Sequence, residues 1–156
     1  MKKRLRAYWC YLAIPIAILM MTETALAALG ESGDSVDRDR VALKAVQRTT
    51  SVSKSYSVQE LQTKTIAVRE YLTPSGVVFG ITWNGLTHPD LTPLLGSFAG
   101  EYAAAIRDAP RTYGRRHSQL MTEHIVVEKW GHMRNLRGRA YIKSLVPPGV
   151  TVNEIN

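Results

Sequence analysis

Four histidines, His88, His117, His124 and His132, are the side chains best suited to acid–base or metal chemistry in this sequence. A metal site needs several ligands converging at fixed spacing. No two of these histidines stand four apart on a predicted helix. His124 and Glu128 are four apart in a predicted strand, which would hold them roughly 13 Å from each other on one face. A site built from His88, His124 and His132 would require the fold to gather them, and the ordinary role of such residues is a surface or hydrogen-bonded interior position. Ser97, within Leu95-Gly96-Ser97-Phe98-Ala99-Gly100, approaches a nucleophile elbow but falls inside a predicted helix rather than at a strand-to-helix turn. Glu70, Asp90, Glu101, Glu123 and Glu128 could supply an acid–base pair, yet nothing in their spacing brings two together. No phosphate-binding loop or dinucleotide fingerprint is present, so neither a cofactor nor a metal is expected.

Binding chemistry is better represented. From Arg107 to Lys143 nine Lys or Arg face three acids, interleaved with Tyr113, Trp130 and Tyr141. The ordinary reading of such a run is a solvated charged face. Within it, Arg134, Arg137 and Arg139 bracket a turn whose Gly131 and Gly138 would let backbone approach a ligand or partner. Trp130, at the end of a predicted strand beside Gly131-His132, is the tryptophan suited to an exposed recognition role, while Trp83 reads as core. The candidate binding residues are therefore Trp130, His132, Arg134, Arg137 and Arg139. Reversing the charges of Arg134 and Arg139 is expected to abolish capture of a partner.

The elements that must position these residues follow from periodicity. Asp34 or Ser35 can cap a short helix over about 35–48, and Thr49 to Ser55 reads as linker. Strands are predicted at Tyr56–Gln62 and Ile66–Leu72. Thr73-Pro74-Ser75-Gly76 follows as a turn in which Pro74 presets φ and Gly76 accepts a positive one. Val77, Phe79, Ile81 and Trp83 then alternate onto one predicted face. Asp90 or Thr92 can cap a helix ending at Ala109-Pro110, with Leu94, Leu95, Phe98, Tyr102, Ala105 and Ile106 on its apolar face. A stripe of Gly96, Gly100 and Ala104 would let that helix lie close to a sheet. After a basic loop from Arg107 to Gln119, strands return at Thr122–Trp130 and around Ala140-Tyr141-Ile142. The expected fold class is α+β: a single antiparallel sheet of about five strands packed on one main helix, with a short N-terminal helix. The expected organisation is a lead-in over 28–55, the α+β domain over 56–149 and a short tail over 150–156.

The first residues read as an address. Lys2, Lys3, Arg4 and Arg6 against Glu23 alone give residues 1–27 a charge of +3, leaving +4 of the chain's +7 for the rest. The uncharged run Ala7–Thr22 would span about 24 Å as a helix, short of a hydrocarbon core of about 30 Å. With Ala25-Leu26-Ala27 after it, this predicts a secretory signal peptide over 1–27, cleaved between Ala27 and Ala28 and leaving no transmembrane segment. Cys10 is the single cysteine and lies in the leader, so the mature chain can use neither disulfides nor thiol catalysis. At 156 residues with 45% hydrophobic content, the chain is one domain's worth of globular sequence rather than a multidomain enzyme.

Val68-Arg69-Glu70-Tyr71, Ser75-Gly76-Val77-Val78-Phe79, Trp83-Asn84-Gly85, Pro89-Asp90-Leu91 and Leu94-Leu95-Gly96 occur in that order. Gly131-His132-Met133-Arg134 and Gly138-Arg139-Ala140-Tyr141 follow downstream. With Ala28-Leu29-Gly30 after the leader, this set resembles the bacterial family labelled domain of unknown function (DUF) 2844 over nearly all of the mature chain. The resemblance implies a small exported proteobacterial protein, in the periplasm or outside the cell, and carries over no catalytic residues. The resulting expectation is a non-enzymatic binding or accessory module of the cell envelope, whose partner is an envelope protein or an anionic envelope polymer. Export makes nucleic acid an unexpected partner. The alternative is a small periplasmic hydrolase using His88, Asp90 or His132 as acid–base residues, which requires those side chains to converge in one pocket. A third is a structural component assembling through an exposed strand edge.

Overall fold

The computed structural model describes residues 29–32, 40–41, 43–53, 55–110 and 116–155. Seven strands form one antiparallel sheet: β1 (Val46–Val52), β2 (Ser57–Gln62), β3 (Ile66–Leu72), β4 (Val78–Gly85), β5 (His117–Met121), β6 (Ile125–His132) and β7 (Asn135–Ile142). Their spatial order is β1-β2-β3-β4-β7-β6-β5. The first four strands meander; the chain then crosses through α1 (Leu91–Leu95) and α2 (Ala99–Asp108) to the far edge, and meanders back until β7 lies against β4. Among the described residues no helix is long and apolar enough to cross a membrane.

Alternation along the strands gives the sheet two faces. One carries Leu61, Val68, Ile81, Trp83, Ile125, Val127, Ala140 and Ile142, buried with Leu91, Leu94 and Leu95 of α1. Leu29 is fully buried in the same cluster, its N–H donating to Leu94 C=O at 3.1 Å. Gly30 N–H donates to Val78 C=O at 2.7 Å, and Val78 N–H to Glu31 C=O at 2.9 Å, so this N-terminal strap is held by backbone. Asp90 caps α1, its Oδ1 accepting from Thr92 N–H at 2.9 Å, with Pro93 in the first turn. The opposite face carries a smaller cluster of Tyr71, Phe79, Val126 and Tyr141, closed by Ile155 from the C-terminal segment. A short 3-10 turn over Val152–Glu154 presents Ile155, and Thr151 and Glu154 form its capping box. The two hydrogen bonds from Thr151, backbone and side chain, hold the Glu154 carboxyl below its usual range.

Several expectations are corrected. The sheet has seven strands rather than five, and β1 and β5, the two edges, stand where a helix-to-linker segment and a basic loop were expected. The predicted short N-terminal helix over 35–48 gives way to strand by Val46; Val46, Thr49, Thr50 and Val52 are β-branched and stiff at χ1, which favours the pleated conformation. Residues 35–39 and 42 of that prediction and its candidate cap Asp34 lie outside the described residues, as do the leader and its cleavage site at Ala27-Ala28, and Arg111, Tyr113 and Arg115 of the basic run. The single predicted helix after Asp90 is two, interrupted by a 3-10 turn at Gly96–Phe98 where Gly96 takes φ +48°. The small-residue stripe does not seat it: Gly100 is exposed, with open space where a Cβ would be. Finally, Tyr71 pairs with Gly80 and Leu72 with Val78, which leaves Phe79 as the extra residue of a β-bulge. The bulge sends Val78, Ile81 and Trp83 to the helix side and Phe79 to the other, so the uninterrupted alternation expected from the sequence fails at one residue.

Candidate functional site

Register across the sheet organises the face opposite the helices into lateral rows. The row next to Ile155 is apolar: Val58, Tyr71, Gly80, Tyr141 and Val126. The next runs Glu60, Arg69, Thr82, Arg139, Glu128 and Gln119. The third runs Gln62, Ala67, Asn84, Arg137, Trp130 and His117. Residues paired in register point to the same side, so these positions share a surface although they come from six strands.

The charged row is cross-linked. Arg69 Nε donates to Glu60 Oε2 at 3.0 Å on the β2–β3 side. On the other side Arg139 Nε donates to Glu128 Oε2, and its Nη1 donates to Val152 C=O at 2.6 Å. Gln119 Nε2 donates to the second oxygen of Glu128 at 2.8 Å. Glu128 and Arg139 are nearly buried, so this pair ties β6 and β7 to the C-terminal segment. Burial pushes the Tyr141 hydroxyl above its usual range, with the Glu128 charge adding to the effect and Arg139 opposing it.

Between the charged rows the side chains are short. Ala67, Thr82 and Asn84 leave a hollow of about 300 Å³, bounded by Arg69, Arg137 and Trp130, with Trp83 and Gly138 contributing from beneath. A second hollow of about 360 Å³ lies on the other side of Trp130, lined by His117, Glu128, Arg139 and Asn153. The Arg139 guanidinium sits 5.7 Å from the Trp130 ring centroid and supports the indole between the two. Arg137 is exposed, its Nε bonded to Asn135 Oδ1 at 3.1 Å. The arrangement offers two guanidinium groups, an amide, a hydroxyl and an indole to one opening.

Of the five residues singled out from the sequence, Trp130, Arg137 and Arg139 meet at these hollows. His132 and Arg134 stand at the β6–β7 turn, exposed, with Arg134 at φ +65° and Met133 between them 91% exposed. Gly131 and Gly138 are both closely packed within the chain, although Gly138 also lines the first hollow. A Cβ on Gly138 would strike the Trp83 indole, and one on Gly131 would strike the Asn135 carbonyl, so both serve close packing within the chain. Arg69, Thr82 and Asn84 are not among the binding residues expected from the sequence, and His117 is weighed there only for acid–base or metal chemistry; the period of two in β3 and β4 marks the face of the first three, but only cross-strand register places them beside Trp130.

Two residues of the hydrolase alternative, His88 and Asp90, are otherwise engaged, and the third, His132, stands apart at the β6–β7 turn. His88 Nδ1 accepts from Trp83 Nε1–H at 2.8 Å on the helix side of the sheet, and Asp90 caps α1. Both line one surface depression with Lys44 and Lys64; His132 is not among its residues. His124 bonds Glu101 through Nδ1 at 3.1 Å. Glu70 is buried on the helix side, opposite Gln59 and Ile81 in register. Among the described residues no three His, Cys, Asp or Glu side chains gather into a metal-holding group.

No curated protein and no solved structure matches the chain. One family model does, over residues 25–155, and the chain accordingly belongs to the family described as protein of unknown function, DUF2844.

Proposed function

We propose that this protein is an exported, non-enzymatic binding module of the cell envelope that takes an anionic ligand on the open face of its sheet. The observation that carries the reading is the hollow between Arg69, Arg137 and Trp130, where two guanidinium groups, that of Arg69 shared with Glu60, flank an aromatic wall over a floor of short side chains. Guanidinium groups bond carboxylate, sulfate and phosphate oxygens bidentately, and an indole supplies apolar contact at small entropic cost. Two sequence features support export: the tripartite leader, and a family match that begins at residue 25, behind its charged and apolar regions. Leu29, two residues past the expected cleavage between Ala27 and Ala28, is buried in the core, a position that cleavage there would leave in the mature chain.

The geometry also selects the variants. Arg139 is held by Glu128 and Val152, so reversing its charge would set two carboxylates together and test folding instead of binding. Arg137→Glu and Arg69→Gln leave that link intact. A charge-assisted hydrogen bond contributes about 1.5–3 kcal/mol, so each variant is expected to weaken binding of polygalacturonate about tenfold or more. Arg107→Glu, on the exposed end of α2, serves as the charge control and is expected to bind as the wild type does. Calorimetric titration with circular dichroism reads both affinity and fold. Equal binding by Arg137→Glu, or no binding by the wild type of polygalacturonate, sulfate or phosphate, would overturn the assignment.

A further inference from the structure

The two hollows are not separate pockets but neighbours along one row, and this deepens the anion-binding reading, on which it rests. We infer that the ligand is a linear acidic glycan lying across the strands, from Ala67 past Asn84, Arg137 and Trp130 to His117. Three properties of the surface select that class.

The first is length. The row passes over β3, β4, β7, β6 and β5, four inter-strand steps of about 4.8 Å, or about 19 Å, which accommodates about four pyranose rings at roughly 5 Å each. A single small anion needs only the first hollow. The second is charge density. Glu60 and Glu128 are paired with Arg69 and Arg139, so the two rows leave Arg137 as the cation not offset by a carboxylate within them. A polyphosphate offers little but charge to a surface whose own charge is nearly balanced, whereas each unit of an acidic glycan presents hydroxyls beside its carboxylate and so needs fewer cations to hold it. The third is the mixture of contacts. Asn84, Thr82, His117 and Asn153 both donate and accept hydrogen bonds, as sugar hydroxyls require, and Trp130 stands between the hollows where the apolar C–H face of a ring can rest on it. The first hollow holds the carboxylate, and the second extends the grip along the chain.

Galacturonate oligomers of one to six units, titrated calorimetrically into the purified protein, test the assignment. Affinity is expected to rise at least tenfold from dimer to tetramer and to stay level from tetramer to hexamer. His117→Ala is expected to shrink the dimer-to-tetramer gain, and neutral oligosaccharides of the same lengths are expected to bind at least tenfold more weakly. Monomer, or inorganic phosphate, binding as tightly as tetramer would overturn the extended site while leaving the anion site standing. Polyphosphate of matched length binding more tightly than the glycan would overturn the ligand class. Failure of every anion to bind would remove the underlying reading as well.

Discussion

The indole of Trp83 is fixed at both ends: its ring lies over Gly138 on the neighbouring strand, and its N–H is donated to His88 Nδ1 at 2.8 Å. That bond requires Nδ1 to be unprotonated. Burial, and secondarily the Lys129 charge, hold His88 below the ordinary histidine value of 6.5. The sign follows from linkage: the unfolded chain takes up this proton at higher pH than the folded one. The stability carried by neutral His88 is therefore complete above pH 6.5, falls as pH drops below that value, and levels off beneath the folded-state pKa. Denaturant midpoints measured between pH 7.5 and 5 should fall on acidification, and His88→Gln should flatten that slope. An unchanged slope in the variant would mean that other groups carry it. The sequence indicates that Trp83 is core and Trp130 is not, because the first shares its strand with apolar neighbours and the second abuts Gly131-His132. It does not indicate that His88 is Trp83's partner, since the bond closes only when the loop after β4 folds back. Arg137 and Arg139 show the same limit: two apart on one strand and one face, they part in role because register sets Glu128 opposite Arg139 and Trp130 opposite Arg137.

Elements were legible in proportion to their burial. Central strands β3, β4, β6 and β7 carry apolar runs because both of their faces are covered in part, whereas the edge strands have little to bury. Val46 and Val52 of β1 are largely exposed, as is Met121 of β5, so hydrophobic alternation does not mark either strand. Their signal is β-branching and turn spacing, which is weaker. Helix α2 is the opposite case: its pattern is plain, but no residue in it is fully buried. Ala99 and Tyr102 pack against the helix-side core only in part, and a polar tether adds to them. Glu101 accepts from His124 N–H at 3.2 Å and contacts His124 Nδ1 at 3.1 Å, and a hydrogen bond from the Thr122 side chain is the main cause of its lowered carboxyl pKa. With that pKa depressed, the tether is intact at neutral pH and is lost as pH falls through the folded-state value, below 4.5. Glu101→Ala should accordingly raise amide hydrogen exchange throughout α2 at pH 7 while β4 and β7 keep wild-type protection. Faster exchange spread evenly over the sheet would show instead that α2 and the strands open together.

At the scale of the whole molecule, the sheet is closed from both sides by the two ends of the described chain. Leu29 enters the helix-side core just behind the expected leader, and Ile155 covers the opposite face one residue from the end of the sequence; both are fully buried. Neither end reads as core from the sequence: Leu29 follows directly on the small apolar residues of the expected cleavage region, and Val150, Val152 and Ile155 are too few and too unevenly spaced to set a period. The Ile155 contact also reaches the proposed binding surface: the same segment supplies the Val152 carbonyl to Arg139, which supports Trp130, and Asn153 to the second hollow. Truncating a fully buried aliphatic side chain to alanine costs about 2–5 kcal/mol, a large share of a small domain's stability. Leu29→Ala and Ile155→Ala should each lower the urea midpoint within a single transition. Their effects on function should differ. Leu29→Ala, remote from the open face, should bind polygalacturonate as the wild type does where both are folded. Ile155→Ala should weaken tetramer binding more than dimer binding, because loosening the C-terminal segment releases Arg139 and Asn153 on the far side of Trp130 and leaves Arg69 and Arg137 in place. Equal losses for dimer and tetramer would disconnect the C-terminal segment from the second hollow, and with it the idea that one fold element both seals the core and shapes the binding surface.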